Sequence, residues 1–151
     1  MNRIFLMLLL SLATLTSACT TRQYGNFLAP APFDQGKLAE DVVRQLIVLY
    51  APAHTRIDMQ QATPDPFGQA LVKALRADGY AVSEYAPPDT ATARKPSSTD
   101  ALPLRYVLDR AGDMGGNLYH VSLQIGNQTV ARPYLVQDGV ISPAGYWVRK
   151  E

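Results

Sequence analysis

The stretch "PDPFGQALVKALRADGYAVSEY", residues 64–85, constrains the fold more than any other part of the chain. Asp65 stands where a carboxylate caps a helix, and Pro66 suits the first turn, where no backbone N–H is needed. Gly79 suits the position just past the last turn. Between them Phe67, Ala70, Leu71, Ala74 and Leu75 recur on one helical stripe. "YAVSEY" then alternates with period two, as does "TRIDMQQ" at 55–61, where Ile57 and Met59 share one side. Residues 55–85 therefore read as a β-α-β unit.

The rest of the chain is arranged around that unit. Residues 34–50 form a second helical pattern, capped by Asp34, with Leu38, Val42, Val43, Leu46, Ile47 and Tyr50 at helical spacing and Pro52 as its stop. Residues 86–103, "APPDTATARKPSSTDALP", have the composition of a mobile loop. After it the period changes to two, and 104–109, 118–125, 129–136 and 146–150 read as strands joined by "RAGDMGGN", "GNQ" and "QDGVISPAG". Pro133 has no ladder donor, so its strand is expected at an edge or a bulge. The expected class is α+β, with two N-terminal helices and the β-α-β unit packed on a mostly antiparallel sheet of about five to six strands. Residues 34–151 make this single domain.

The chain opens on Met1-Asn2-Arg3 and the apolar run Ile4–Leu15. That run falls short of the roughly 20 residues a spanning helix needs and suits the core of a secretory signal over residues 1–18. Thr16-Ser17-Ala18 supplies small residues before a cut, and Cys19, the single cysteine, follows at once. "LTSAC" resembles the lipobox of bacterial lipoproteins, with its leucine four residues before the cysteine where three is usual. A lone thiol in an oxidising compartment is a liability that acylation removes. Cys19 is therefore the expected lipid-attachment residue. Acyl chains at ~0.8 kcal/mol per buried CH₂ would hold it firmly in the bilayer. Residues 19–33 read as an extended tether, because Gly25, Asn26, Pro30 and Pro32 argue against helix or strand. Tyr24, Phe27, Leu28 and Phe33 make that tether apolar for a spacer, so it either packs along its own domain or lies in a partner's groove as a partner-binding strip.

Charge and chemistry narrow the function further. Arg3 leaves with the signal, so the mature chain holds 13 basic and 13 acidic residues and carries no electrostatic footprint for nucleic acid. His54 and His120 are distant in sequence, and with the cysteine acylated they do not supply the three or four ligands of a metal site. No nucleophile elbow supports a catalytic triad. "GDMGGN", 112–117, lacks the spacing and the Lys-Ser/Thr of a phosphate loop and reads as a hairpin turn. Asp58 and Asp65 both stand near the start of the second helix; Asp58 is read as a solvent-facing strand residue and Asp65 as the cap. Nothing here points to an enzyme or a cofactor. Aromatic residues at 80, 85, 106, 119, 134, 146 and 147 are divided between core and surface, with Trp147 the one expected to be partly exposed.

The signal and lipobox, "LAEDVVRQL", the block "DPFGQALVKALRADGYAV", "LPLRYVLD" after a variable loop, and the ending "ISPAGYWVRKE" together resemble the TrbH family of conjugal transfer lipoproteins across nearly the whole chain. The resemblance implies a non-enzymatic structural component of a conjugative type IV secretion apparatus. It implies an outer-membrane lipoprotein whose partners are other mating-pair-formation or ring-forming channel proteins and whose domain faces the periplasm. Thr20 in place of the aspartate that retains lipoproteins at the inner membrane favours the outer membrane. The competing expectation is an envelope lipoprotein that regulates a cell-wall enzyme or assists secretin assembly.

Overall fold

Three long strands organise the molecule in the computed structural model, which describes residues 23–28, 30–86, 100–112 and 116–150. The signal at 1–18, Cys19, residues 87–99 of the expected loop and residues 113–115 of the glycine-rich turn lie outside the described residues. In chain order the strands are β1 (Gly25–Asn26), β2 (Arg56–Met59), β3 (Ala81–Ser83), β4 (Ala101–Arg110), β5 (Leu118–Ile125), β6 (Gln128–Gln137), β7 (Val140–Pro143) and β8 (Val148–Lys150). The helices are α1 (Gln35–Leu49) and α2 (Pro66–Ala77). This is a mixed α/β fold consistent with the α+β expectation, built on one sheet with β3-β2-β4-β5-β6-β7 in order.

The β-α-β unit is present as β2-α2-β3, with β2 and β3 adjacent and parallel. Asp65 caps α2 by accepting from Gly68 N at 2.9 Å, Pro66 opens the helix, and Gly79 takes φ +89° after it. Asp34 does the same for α1, accepting from Gly36 N and Lys37 N. Both helices lie on one side of the sheet. Leu38, Val42, Val43 and Leu46 of α1 and Phe67, Leu71, Val72 and Leu75 of α2 meet the inward alternation of the strands, Leu104, Tyr106 and Leu108 on β4, Tyr119, Val121, Leu123 and Ile125 on β5, and Val130, Tyr134 and Val136 on β6. Such burial is the dominant favourable term in folding. Ile47, expected in the apolar stripe, is 37% exposed.

Each outer strand of the central three is flanked by two short pieces in place of one long neighbour. Along β4, β2 pairs in parallel with Ala101–Leu104, and β1 pairs in parallel with Val107–Leu108. The gap is bridged by a side chain: Gln61 Oε1 accepts from Tyr106 N at 3.0 Å. Along β6, β7 pairs with Tyr134–Gln137 and β8 with Thr129–Ala131, both antiparallel. That gap falls at Arg132–Pro133, where Arg132 Nε donates to Gly145 O at 2.7 Å and Ala144 N donates to Pro133 O.

Several expectations are corrected. Among the described residues the sheet holds eight strands, because Gly25–Asn26 and Val140–Pro143 also join it. Ala101–Pro103, read as the end of the loop, open β4 because they ladder onto Arg56–Asp58. Pro133 is on an interior strand, not an edge. In an extended residue N and O face the same way, so its missing donor points, like its carbonyl, into the break between β7 and β8. Asp58 is only 4% exposed, because β2 is flanked on both sides and Gln60 Nε2 donates to its carboxylate.

Candidate partner-binding surfaces

Residues expected to form the partner-binding strip are spread over three environments. Tyr24 lies on the side of the sheet away from the helices, its hydroxyl donating to Gln124 Oε1 at 2.9 Å and its ring 4.8 Å from the Arg105 guanidinium carbon. Gly25 and Asn26 then ladder onto β4, and Phe27 N donates to Leu108 O at 2.8 Å. Asn26 fixes the following turn, its amide donating to Gln35 Oε1 and its carbonyl oxygen accepting from Leu28 N. Leu28 packs against the core, and Phe33 is in it, edge-on to Tyr119 at 4.9 Å between ring centres. Phe27 is left 49% exposed. Of the two alternatives the sequence left open, the described residues pack along their own domain, with Phe27 as the apolar group facing solvent.

A second apolar exposure follows the outer row of β7 and β8, where Val140, Tyr146 and Val148 are exposed. Trp147 is partly exposed, as expected, and half-buried against Tyr134 at 6.5 Å between ring centres, while Tyr146 is the fully presented aromatic. Residues 137–145, expected to be one long turn, contain β7.

The polar feature it also missed joins α1 to β6. Asp41 Oδ2 accepts from Tyr134 OH at 2.6 Å and from Arg132 Nη1 at 3.0 Å, while Asp41 Oδ1 accepts from Arg44 at 2.9 Å. Arg132 also lies over the Tyr134 and Trp147 rings. Burial pushes the Asp41 carboxyl up, but the Tyr134 hydrogen bond, Arg44 and Arg132 outweigh it and hold the group below the usual carboxylate range. Burial, and then the bond to Asp41, push the Tyr134 hydroxyl far up. One partner is thus a standing acceptor and the other a standing donor. A pair so divided clamps helix to sheet and holds no proton ready for exchange. The signal was available: Arg132 is a charge in the inward phase of "TVARPYLV".

Other candidate groups are not brought together. Asp65 serves its helix and accepts from Tyr106 OH at 2.5 Å, whereas Asp58 is engaged by Gln60. His54 ends a 3-10 turn at Pro52–His54, and His120 faces Asp109 across β4 and β5 at 3.9 Å. Among the described residues no group of three or more His, Cys, Asp or Glu side chains is placed to hold a metal ion. Nor is any of their helices long and apolar enough to cross a membrane.

No curated protein and no solved structure matches the chain. A family model described as "Conjugal transfer protein TrbH" matches residues 21–151, which include every element of the fold described above. The chain therefore belongs to the TrbH family of conjugal transfer proteins, and its part is in conjugal transfer.

Proposed function

We propose that the protein is an outer-membrane lipoprotein, anchored through acylated Cys19, that stabilises the envelope-spanning channel of a conjugative type IV secretion apparatus through protein–protein contacts. The observation that carries this reading is the family match over 21–151. Its support is twofold. The signal-like run and the lipobox-like cysteine stand just before the matched span, where a lipid anchor ahead of the domain would sit. The Asp41–Arg132–Tyr134 and Asp65–Tyr106 clusters, meanwhile, clamp the domain's own elements, which suits a scaffold whose work is done by its surface.

Replacing the thiol tests the anchor. In Cys19→Ser the precursor is expected to stay uncleaved and to take up no labelled palmitate, with donor mating efficiency reduced; palmitate incorporation into the variant would refute the attachment site. Phe27 tests the contacts. Phe27→Ala should leave unfolding stability within ~0.5 kcal/mol, as for exposed positions generally. It should also weaken co-purification of cross-linked channel subunits from donor membranes. Undiminished recovery would remove Phe27 from the binding surface.

A further inference from the structure

We infer that the side of the sheet opposite the helices, around Tyr24 and Arg105, lies against the headgroups of the bilayer that holds the anchor. The inference rests on the lipoprotein reading above and adds to it the orientation of the domain.

Chain length carries the argument. From Cys19 to Gln23 there are four residues, which at full extension span at most ~14 Å. From Tyr24 onward the chain is fixed: its hydroxyl is bonded to Gln124, its ring is stacked on Arg105, and Gly25–Asn26 are laddered onto β4. A domain of this size has a radius of gyration of about 14 Å and so is roughly 35 Å across. A bilayer on the helix side would require the anchor to pass around that body, which so short a span cannot do.

Charge fits the same placement. Arg56 and Arg105 occupy this side through the alternation of β2 and β4, and guanidinium groups match lipid phosphates. Of the acids on that side, Asp58 is 4% exposed and so withdrawn from the surface, and Asp109 faces His120 at 3.9 Å. The helix side, with the exposed Lys73 of α2, would then face away from the membrane.

The test uses the full acylated protein in phosphatidylcholine vesicles containing a lipid with a nitroxide on its headgroup. A fluorophore is placed at His120→Cys, on the sheet side, or at Lys73→Cys, on the helix side; with Cys19 acylated, each new thiol is the one available for labelling. Quenching is expected to be several-fold stronger at 120 than at 73. Inserting ten Gly/Ser residues after Thr21 adds about 18 Å of root-mean-square reach and should shrink that ratio towards one. Equal quenching at both positions in protein that floats with the vesicles would overturn the orientation alone. Protein that fails to float would overturn the anchor and the orientation together.

Discussion

Gly68→Ala is expected to lower the melting temperature by roughly 10 °C, corresponding to a loss of about 3 kcal/mol at this domain size. The direction is opposite to the usual rule, because alanine in a helix interior is favoured over glycine by about 1 kcal/mol. Here a Cβ would overlap the Tyr106 hydroxyl oxygen and stand 2.8 Å from Thr63 Cβ and 3.1 Å from Thr63 Cα. The backbone atom cannot give way, and Tyr106 is 1% exposed, with its hydroxyl on Asp65 and its ring edge-on to Phe67 at 5.1 Å. Overpacking costs about 1–3 kcal/mol, and displacing a hydrogen bond to a charged group about 1.5–3 more. A double-mutant cycle in urea isolates the collision. Adding Tyr106→Phe to Gly68→Ala should recover about 1 kcal/mol relative to the sum of the single changes, whereas simple additivity would show that the hydroxyl is not what the methyl meets.

Asp41→Asn should cost about 2 kcal/mol at neutral pH, within the range for losing charge-assisted hydrogen bonds at a part-buried site. The weight falls on Tyr134 and Arg132, since the Arg44 side chain is 65% exposed and such pairs contribute little. The acid dependence has a definite sign. The folded state holds the Asp41 carboxyl below its ordinary value, so the unfolded chain takes up the proton first as pH falls. The contribution is whole above the unfolded value of about 3.9 and is lost as pH drops through the folded one. Urea titrations should therefore show a constant gap between the native protein and Asp41→Asn from pH 7 to pH 5, closing below about pH 4. A gap that widens on acidification would contradict the clamp.

Features written in local chemistry were legible in the chain. Caps and punctuation located α2, because Asp65, Pro66 and Gly79 act on their own turns. Strand β5 matched its alternation over Leu118–Ile125, since one face is buried under the helices throughout. What escaped depends on partners far along the chain. Gly25–Asn26 has no strand character of its own and is extended because β4 offers it a free row. β7 was hidden inside a long turn, although Asp138-Gly139, with φ +51° and +76°, is the dipeptide that two-residue hairpins favour. Asp58 looked exposed from its polarity, and only its neighbours on both sides explain its burial. Of the expected strip, hydrophobicity marked four residues alike, but Phe33 is core and Phe27 is surface, a distinction set by where Asn26 turns the chain.

The broken outer rows have a consequence for life at high density. Proteins gathered side by side on a membrane meet one another at local concentrations far above those in solution, and long bare strand edges invite runaway stacking of sheet on sheet. The outermost strands, β1, β3, β7 and β8, run for two, three, four and three residues. A neighbour laid along any of them would find only a few ladder positions before the chain turned away, and on the β6 side the row is interrupted opposite Arg132–Pro133. Copies brought side by side can therefore stay separate units, each free to be recruited by its surface and not captured by its edge.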